Sequence, residues 1–135
     1  MPRILVVDDE AHLRRALEAN LRIRHYDVDL AATGEEALEL ARRRPPDVVL
    51  LDLGLPGIDG MQVIRALRGW TRVPILVLSA RGDEIGKINA LDAGANDYIT
   101  KPFGMGELLA RLRATLRTEP PTAPSPLVET PWFTL

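Results

Sequence analysis

The chain has 135 residues, is 46% hydrophobic and 27% charged, and carries a net charge of −2. This predicts one soluble domain with its own core and excludes a molecule built as a whole for nucleic acid or an anionic membrane. The absence of cysteine excludes a disulfide framework, a thiolate metal site and a cysteine nucleophile. His12 and His25 are too few for a histidine metal centre.

Arg3–Val7 opens the chain as an apolar run of the buried-strand type, and Asp8 and Asp9 follow it directly. A helix is predicted near Ala11–Ile23, where Leu13, Leu17 and Leu21 recur four apart. The second strand is Val28–Ala31. Thr33 and Glu36 have capping-box spacing at the start of a helix near Gly34–Arg43, which Pro45 and Pro46 terminate. Val48–Leu51 is the third strand, with Asp52 immediately after it. Gly54, Pro56, Gly57 and Gly60 then make a loop whose main chain can approach a bound ion, with the Gly54 carbonyl as a further ligand. A helix near Gly60–Arg68 ends at Gly69.

Ile75–Leu78 is the fourth strand, followed by Ser79 and the small Ala80. The helix near Glu84–Ala93 ends at Gly94. Asp97–Thr100 is the fifth strand, and Lys101-Pro102 after it is a candidate cis peptide. The last helix, near Met105–Arg117, starts at Gly104 with Glu107 three residues on and carries Leu108, Leu112 and Leu116 on one face.

Five strand-helix units predict an α/β domain over residues 1–117, a doubly wound five-stranded parallel sheet with right-handed crossovers. The expected order is 2-1-3-4-5, the flavodoxin-like arrangement, with its ligand crevice at the carboxyl ends of strands 1 and 3. Residues 118–135 hold Pro120, Pro121, Pro124, Pro126 and Pro131 and read as an extended linker. Trp132-Phe133-Thr134-Leu135 then reads as the first strand of a truncated second domain, with a natural tail as the alternative.

Parallel strands of one sheet end on one edge, so Asp8, Asp9, Asp52, Ser79 and Lys101 are expected on a common rim. Three carboxylates, a hydroxyl and an ammonium suit a divalent cation and a phosphoryl group. Asp52 is the expected nucleophile, since a carboxylate can form an acyl phosphate. Asp8 and Asp9 are expected to hold a magnesium ion that offsets the charge repulsion. Taken singly, each aspartate also reads as a loop opener or helix cap, and Ser79 as a turn residue. Together they repel one another, which favours a compensating cation. Lys101 can reach a phosphoryl oxygen as a point charge. Tyr98 reads equally as a ring that turns inward or outward and as a half-buried strand residue. Arg42–Arg44, Arg111, Arg113 and Arg117 alternate with glutamates and apolar positions without aromatic neighbours and read as solvated helix faces.

The segments LVVDDE (Leu5–Glu10), VVLLDLGLPGIDG (Val48–Gly60), ILVLSA (Ile75–Ala80) and DYITKPF (Asp97–Phe103) resemble the receiver domain of two-component response regulators. The resemblance covers about residues 1–117 and implies a CheY-like receiver. It implies Asp52 as phosphoacceptor, Asp8 and Asp9 as magnesium ligands, Lys101 on the phosphoryl oxygen, and Ser79 and Tyr98 as switch residues. It also implies a sensor histidine kinase as phosphodonor.

The stretch LDAGANDYITKPFGMGELLARLRATLR is similar to the OmpR/PhoB subfamily, and the DLGLP loop and GELLARLR helix are most like its KdpE-type potassium-uptake regulators. The subfamily implies a transcription regulator that binds DNA only through a winged-helix domain, here represented by LVETPWFTL. It further implies a homodimer through the fourth helix, fifth strand and fifth helix. On the fourth helix Ile85, Ile88 and Leu91 form one stripe and Ala90 and Ala93 another; the alanines suit packing on the sheet, which leaves Ile88 and Leu91 exposed beside Ala110. Lys87 with Glu107 and Asp97 with Arg111 would pair across the two-fold axis. Asn96 stands where many members carry an aspartate that pairs across it.

Three other readings compete. A stand-alone CheY-like switch would lack the second domain. A flavodoxin-like redox protein needs a Ser/Thr/Gly-rich phosphate loop after the first strand, where Asp8-Asp9-Glu10 would repel a flavin phosphate. A magnesium-dependent phosphohydrolase acting through an aspartyl phosphate usually has a D-x-D at that strand and a cap domain. The receiver reading makes the protein a switch rather than an enzyme. No apolar run approaches the ~20 residues of a membrane helix and the N-terminus does not read as a signal peptide, so a cytoplasmic location without a membrane partner is expected.

Overall fold

In a computed structural model, residues 1–80 and 82–118 are described; the expected linker and second-domain strand at 119–135 lie outside them. Strands β1 (Arg3–Val7), β2 (Asp27–Ala31), β3 (Val48–Asp52), β4 (Ile75–Ala80) and β5 (Asp97–Lys101) alternate with helices α1 (Ala11–Ile23), α2 (Gly34–Arg43), α3 (Gly60–Arg68), α4 (Glu84–Ala93) and α5 (Met105–Thr118). All pairings are parallel and the order is β2-β1-β3-β4-β5, as expected. Strand residues of alternate parity go to opposite faces. Ile4, Val6, Val48, Leu50, Leu76, Leu78 and Ile99 pack against Leu17 and Leu21 of α1 and Leu108 and Leu112 of α5. Leu5, Val7, Val49, Leu51, Ile75 and Val77 pack against α2, α3 and α4 through Ala37, Ala41, Val63, Ile64, Leu67 and Ala90. Both faces are therefore covered, which is why the inner strands β1, β3 and β4 read as apolar runs, while the edge strands β2 and β5 do not.

Three strands run further than their apolar stretches. Asp52 pairs in register with Leu78, Ser79 with Thr100, and Ala80 with Lys101. Asp52 and Lys101 are thus the last positions inside their strands, and Ser79 the last but one, rather than the first beyond them. Main-chain pairing, which does not depend on side-chain polarity, carries the ladder on to the rim.

Helix ends explain the loops. Thr33 accepts the Glu36 N–H, and Glu36 returns its carboxylate to the Ala32 N–H at 2.8 Å rather than to Thr33. The full capping box is at α3, where Asp59 and Gln62 exchange both bonds. Gly94 ends α4 with φ +124°, which glycine permits. Gly69 ends α3 in right-handed conformation, φ −68°, so it is not the left-handed cap its position suggests. Gly60 is required by space: a Cβ there would lie 2.6 Å from the Leu53 Cα. It starts α3 directly beneath the loop that leaves Asp52.

Candidate functional site

Five expected residues meet at the carboxyl edge of the sheet. Carboxylate oxygens of Asp8, Asp9 and Asp52 lie within 4.8 Å of one another. The Lys101 Nζ stands 3.2 Å from Asp8 Oδ2 and 3.5 Å from Asp52 Oδ1. Asp8 is fully buried and Asp52 nearly so, whereas Asp9 is exposed. Asp8 Oδ1 also accepts the Glu10 N–H at 2.9 Å, and Asp52 Oδ1 accepts the Gly54 N–H at 3.2 Å. Asp52 therefore does open its loop, as a lone aspartate would, and still faces the cluster. Asp8 caps no helix: the N-cap of α1 is Glu10, whose side chain makes no capping bond. The Lys101–Pro102 peptide is cis.

The electrostatics follow from burial. Loss of solvent raises the pKa of Asp52 above the usual carboxylate value; the Asp8 charge adds to this, against the Gly54 N–H and Lys101. Burial pulls the pKa of Lys101 down, but Asp52 and Asp8 outweigh it and the net shift is upward. Three carboxylates against one ammonium leave two negative charges at the cluster. The donors are all oxygens, with no nitrogen or sulfur ligand. A hard divalent cation that shares its sphere with water and phosphate fits this set.

Ser79 is completely buried, and its Oγ has no hydrogen-bond partner. An unpaired buried hydroxyl costs about 1–3 kcal/mol, so an incoming acceptor at the rim is favoured. Thr100, the register partner of Ser79, takes the Lys87 Nζ at 3.4 Å. Lys87 also lies 4.6 Å from the centroid of the Tyr98 ring. Tyr98 is half-buried and packs against the α2–α4 side of the core. Side chains of Thr100, Lys87 and Tyr98 thus join the end of β5, paired in register with Ser79, to α4.

The surface of α4, β5 and α5 has the expected character. Ala90 is buried, while Ile85, Ile88 and Leu91 are 74%, 50% and 39% exposed; Ala110 is exposed as well. The charged residues pair within the chain. The Arg111 Nη1 is 3.1 Å from Asp97 and its Nε 3.3 Å from Glu107, while Lys87 lies 3.5 Å from Glu84. Asp97 and Glu107 together raise the pKa of Arg111, Asp97 foremost.

Two features had no sequence signal. Asn96 Oδ1 accepts the Ile75 N–H at 2.8 Å and the Arg68 Nη2 at 3.0 Å, so this amide fastens the start of β4 to the end of α3. Arg42 stacks 5.3 Å over the ring of Trp70, so one arginine expected without an aromatic neighbour has one. Trp70 lies 28 positions further along the sequence, beyond any local pattern.

The response regulator receiver domain model matches residues 4–113. The chain is 53% identical to the transcriptional regulatory protein KdpE of Mycobacterium tuberculosis, covering 100% of this chain and 61% of that protein. It is 52% identical to the KDP operon transcriptional regulatory protein KdpE of Escherichia coli, covering 96% of this chain and 58% of that protein. The chain thus spans about three fifths of the length of these curated relatives. Among solved structures, the BeF3-activated receiver domain of Klebsiella pneumoniae RstA superposes with a TM-score of 0.81 at 40% identity, over 85% of this chain and 98% of that one.

Proposed function

Because the chain belongs to the response regulator receiver domain family and is a receiver of the KdpE/OmpR type, we propose that Asp52 accepts a phosphoryl group from a sensor histidine kinase, with magnesium held by Asp8, Asp9 and Asp52. The observation that carries this reading is the cluster of three carboxylates, mutually within 4.8 Å, two of which, Asp8 and Asp52, share the Lys101 ammonium. In the transfer a carboxylate oxygen of Asp52 forms a bond to phosphorus as the bond from phosphorus to the donor nitrogen breaks. The Gly54 N–H holds Asp52 Oδ1 in place. Lys101, now shared between Asp8 and Asp52, pairs with a phosphoryl oxygen, and the unpartnered Ser79 hydroxyl donates to another. Bound magnesium supplies the positive charge that lets anionic nucleophile and anionic phosphoryl group approach.

The same reading gives Ser79 and Tyr98 the switch. When the Ser79 hydroxyl engages the phosphoryl group, Thr100, Lys87 and Tyr98 readjust, and α4 with them. The exposed Ile88 and Leu91 then meet a second copy through α4, β5 and α5. Lys87, Asp97, Glu107 and Arg111 exchange their in-chain partners for partners across the axis, which sets register more than affinity. In the longer protein a winged-helix domain after α5 would bind DNA, and the KdpE likeness points to control of potassium uptake. Acceptance of one phosphoryl group per cycle is a switch and not turnover.

Intact-mass spectrometry after incubation with a small acyl-phosphate donor tests the proposal. One labile phosphoryl adduct is expected with magnesium, and none with chelator. Equal labelling in both would count against the cation site; steady release of phosphate from esters would favour a phosphohydrolase.

A further inference from the structure

Asp8 is held at every polar atom. Its N–H donates to the Ala31 carbonyl at 3.1 Å. Its carboxylate takes the Glu10 N–H on Oδ1 and the Lys101 ammonium on Oδ2. Its carbonyl oxygen accepts from the Arg14 Nη1 at 2.7 Å, the shortest of the four bonds and a charge-assisted one. Arg14 is itself anchored one turn into α1, where its N–H bonds the Glu10 carbonyl at 3.1 Å. Asp9 lies between these two fixed points. It is exposed and makes no hydrogen bond or ion pair among the described residues. Since its own side chain is unrestrained, what is fixed at Asp9 is the direction of its Cα–Cβ bond, and the main chain on either side sets it. The α1 N-cap side chain adds no restraint, so beside the Asp8 carboxylate on the Glu10 N–H, Arg14 is the side chain of α1 that reaches back to Asp8.

We infer that Arg14 is a positioning residue of the cation site: by gripping the Asp8 carbonyl it orients the β1–α1 turn so that Asp9 faces Asp8 and Asp52. The inference rests on the reading of these three aspartates as cation ligands. The guanidinium charge works in the opposite sense, because a positive group beside the site repels a dication. Substitution therefore separates geometry from charge. If orientation dominates, loss of Arg14 weakens cation binding; if charge dominates, it tightens it. Outer groups that orient metal ligands typically change affinity about 10–100-fold when removed. Here the lower end, about tenfold, is expected, because Asp8 keeps its other three bonds.

The test is Mn2+ binding, followed by electron paramagnetic resonance, on wild type, Arg14→Ala and Arg14→Lys, with thermal melts in chelator. Arg14→Ala should bind Mn2+ about tenfold more weakly, and Arg14→Lys, which keeps a donor and the charge, should recover part of the loss. In phosphorylation assays the half-saturating metal concentration should rise in Arg14→Ala while the rate at saturating metal stays within twofold of wild type. Unchanged or tighter Mn2+ binding in Arg14→Ala overturns the inference. So does a lowered melting temperature with wild-type affinity, which would make Arg14 a brace for α1 alone. Failure of the wild type to bind Mn2+ would instead overturn the cation site itself, and this inference with it.

Discussion

Lys101 and Asp8, 93 positions apart in sequence, meet at 3.2 Å, and the Asp8 carboxylate they join has no solvent exposure. The ammonium is the internal counter-charge of a fully buried carboxylate. The same Nζ lies 3.5 Å from Asp52, so one lysine serves two acids. A phosphoryl group arriving on Asp52 would compete for it.

Lys101→Ala should destabilise the metal-free protein. A buried carboxylate that loses its partner costs about 3–5 kcal/mol, and the partial exposure of Lys101 reduces this to roughly 2–3 kcal/mol. Urea unfolding at neutral pH checks the value. Added magnesium should restore part of the loss, since a cation replaces the missing charge; no recovery would show that the metal does not bind among these acids.

Asp52→Asn should act in the opposite direction. The pKa of Asp52 is raised in the folded state, first by burial and then by Asp8. The folded protein therefore binds more protons than the unfolded chain between the unfolded pKa of about 3.9 and the higher folded value. Stability falls as pH rises through that window, and the cost persists at neutral pH. Asparagine removes it. In chelator the variant should melt a few degrees above wild type at pH 7, and the gap should close below about pH 4. A variant no more stable than wild type at pH 7 would mean that the Asp52 charge is already compensated.

Asp9→Ala should abolish magnesium-dependent labelling and leave the fold intact. Asp9 is exposed and makes no bond among the described residues, and its removal relieves repulsion in the cluster. Melts without metal should show no loss. A large drop in melting temperature would mark Asp9 as a structural residue.

Much of this was legible in the sequence, and for physical reasons. Helix bounds at Ala11–Ile23, Gly34–Arg43, Gly60–Arg68 and Glu84–Ala93 coincide with those observed, because leucines four apart mark the first and caps, glycines and prolines mark the other three locally. The convergence of Asp8, Asp52, Ser79 and Lys101 was legible because parallel strands share an edge. What escaped depends on side-chain contacts that cross from one element to another, whatever their separation in sequence. The Arg14 guanidinium on the Asp8 carbonyl, Asn96 on Ile75 and Arg68, and Arg42 on Trp70 leave no periodic trace. Tyr98 was ambiguous because its strand pattern fits either orientation; Lys87 over its ring resolves its neighbours.

Activation should produce a dimer through α4, β5 and α5. Ile88 and Leu91 supply exposed apolar area, and Arg111, now paired with Asp97 and Glu107, supplies charge at the rim. Light scattering with and without a phosphoryl mimic should show a mass increase in wild type and a much smaller one in Arg111→Glu. No increase in wild type, or an unchanged one in the variant, would argue against this face.

The most direct measurement is chemical mapping of the phosphoryl group. Borohydride reduction of the labelled protein converts an acyl-phosphorylated aspartate to homoserine, which peptide mass spectrometry locates. Homoserine at position 52 alone, formed only when labelling included magnesium and absent from Asp52→Asn, is the expected result. Homoserine at position 8 or 9, or a phosphate stable to reduction on Ser79, would contradict the assignment of Asp52 as the acceptor.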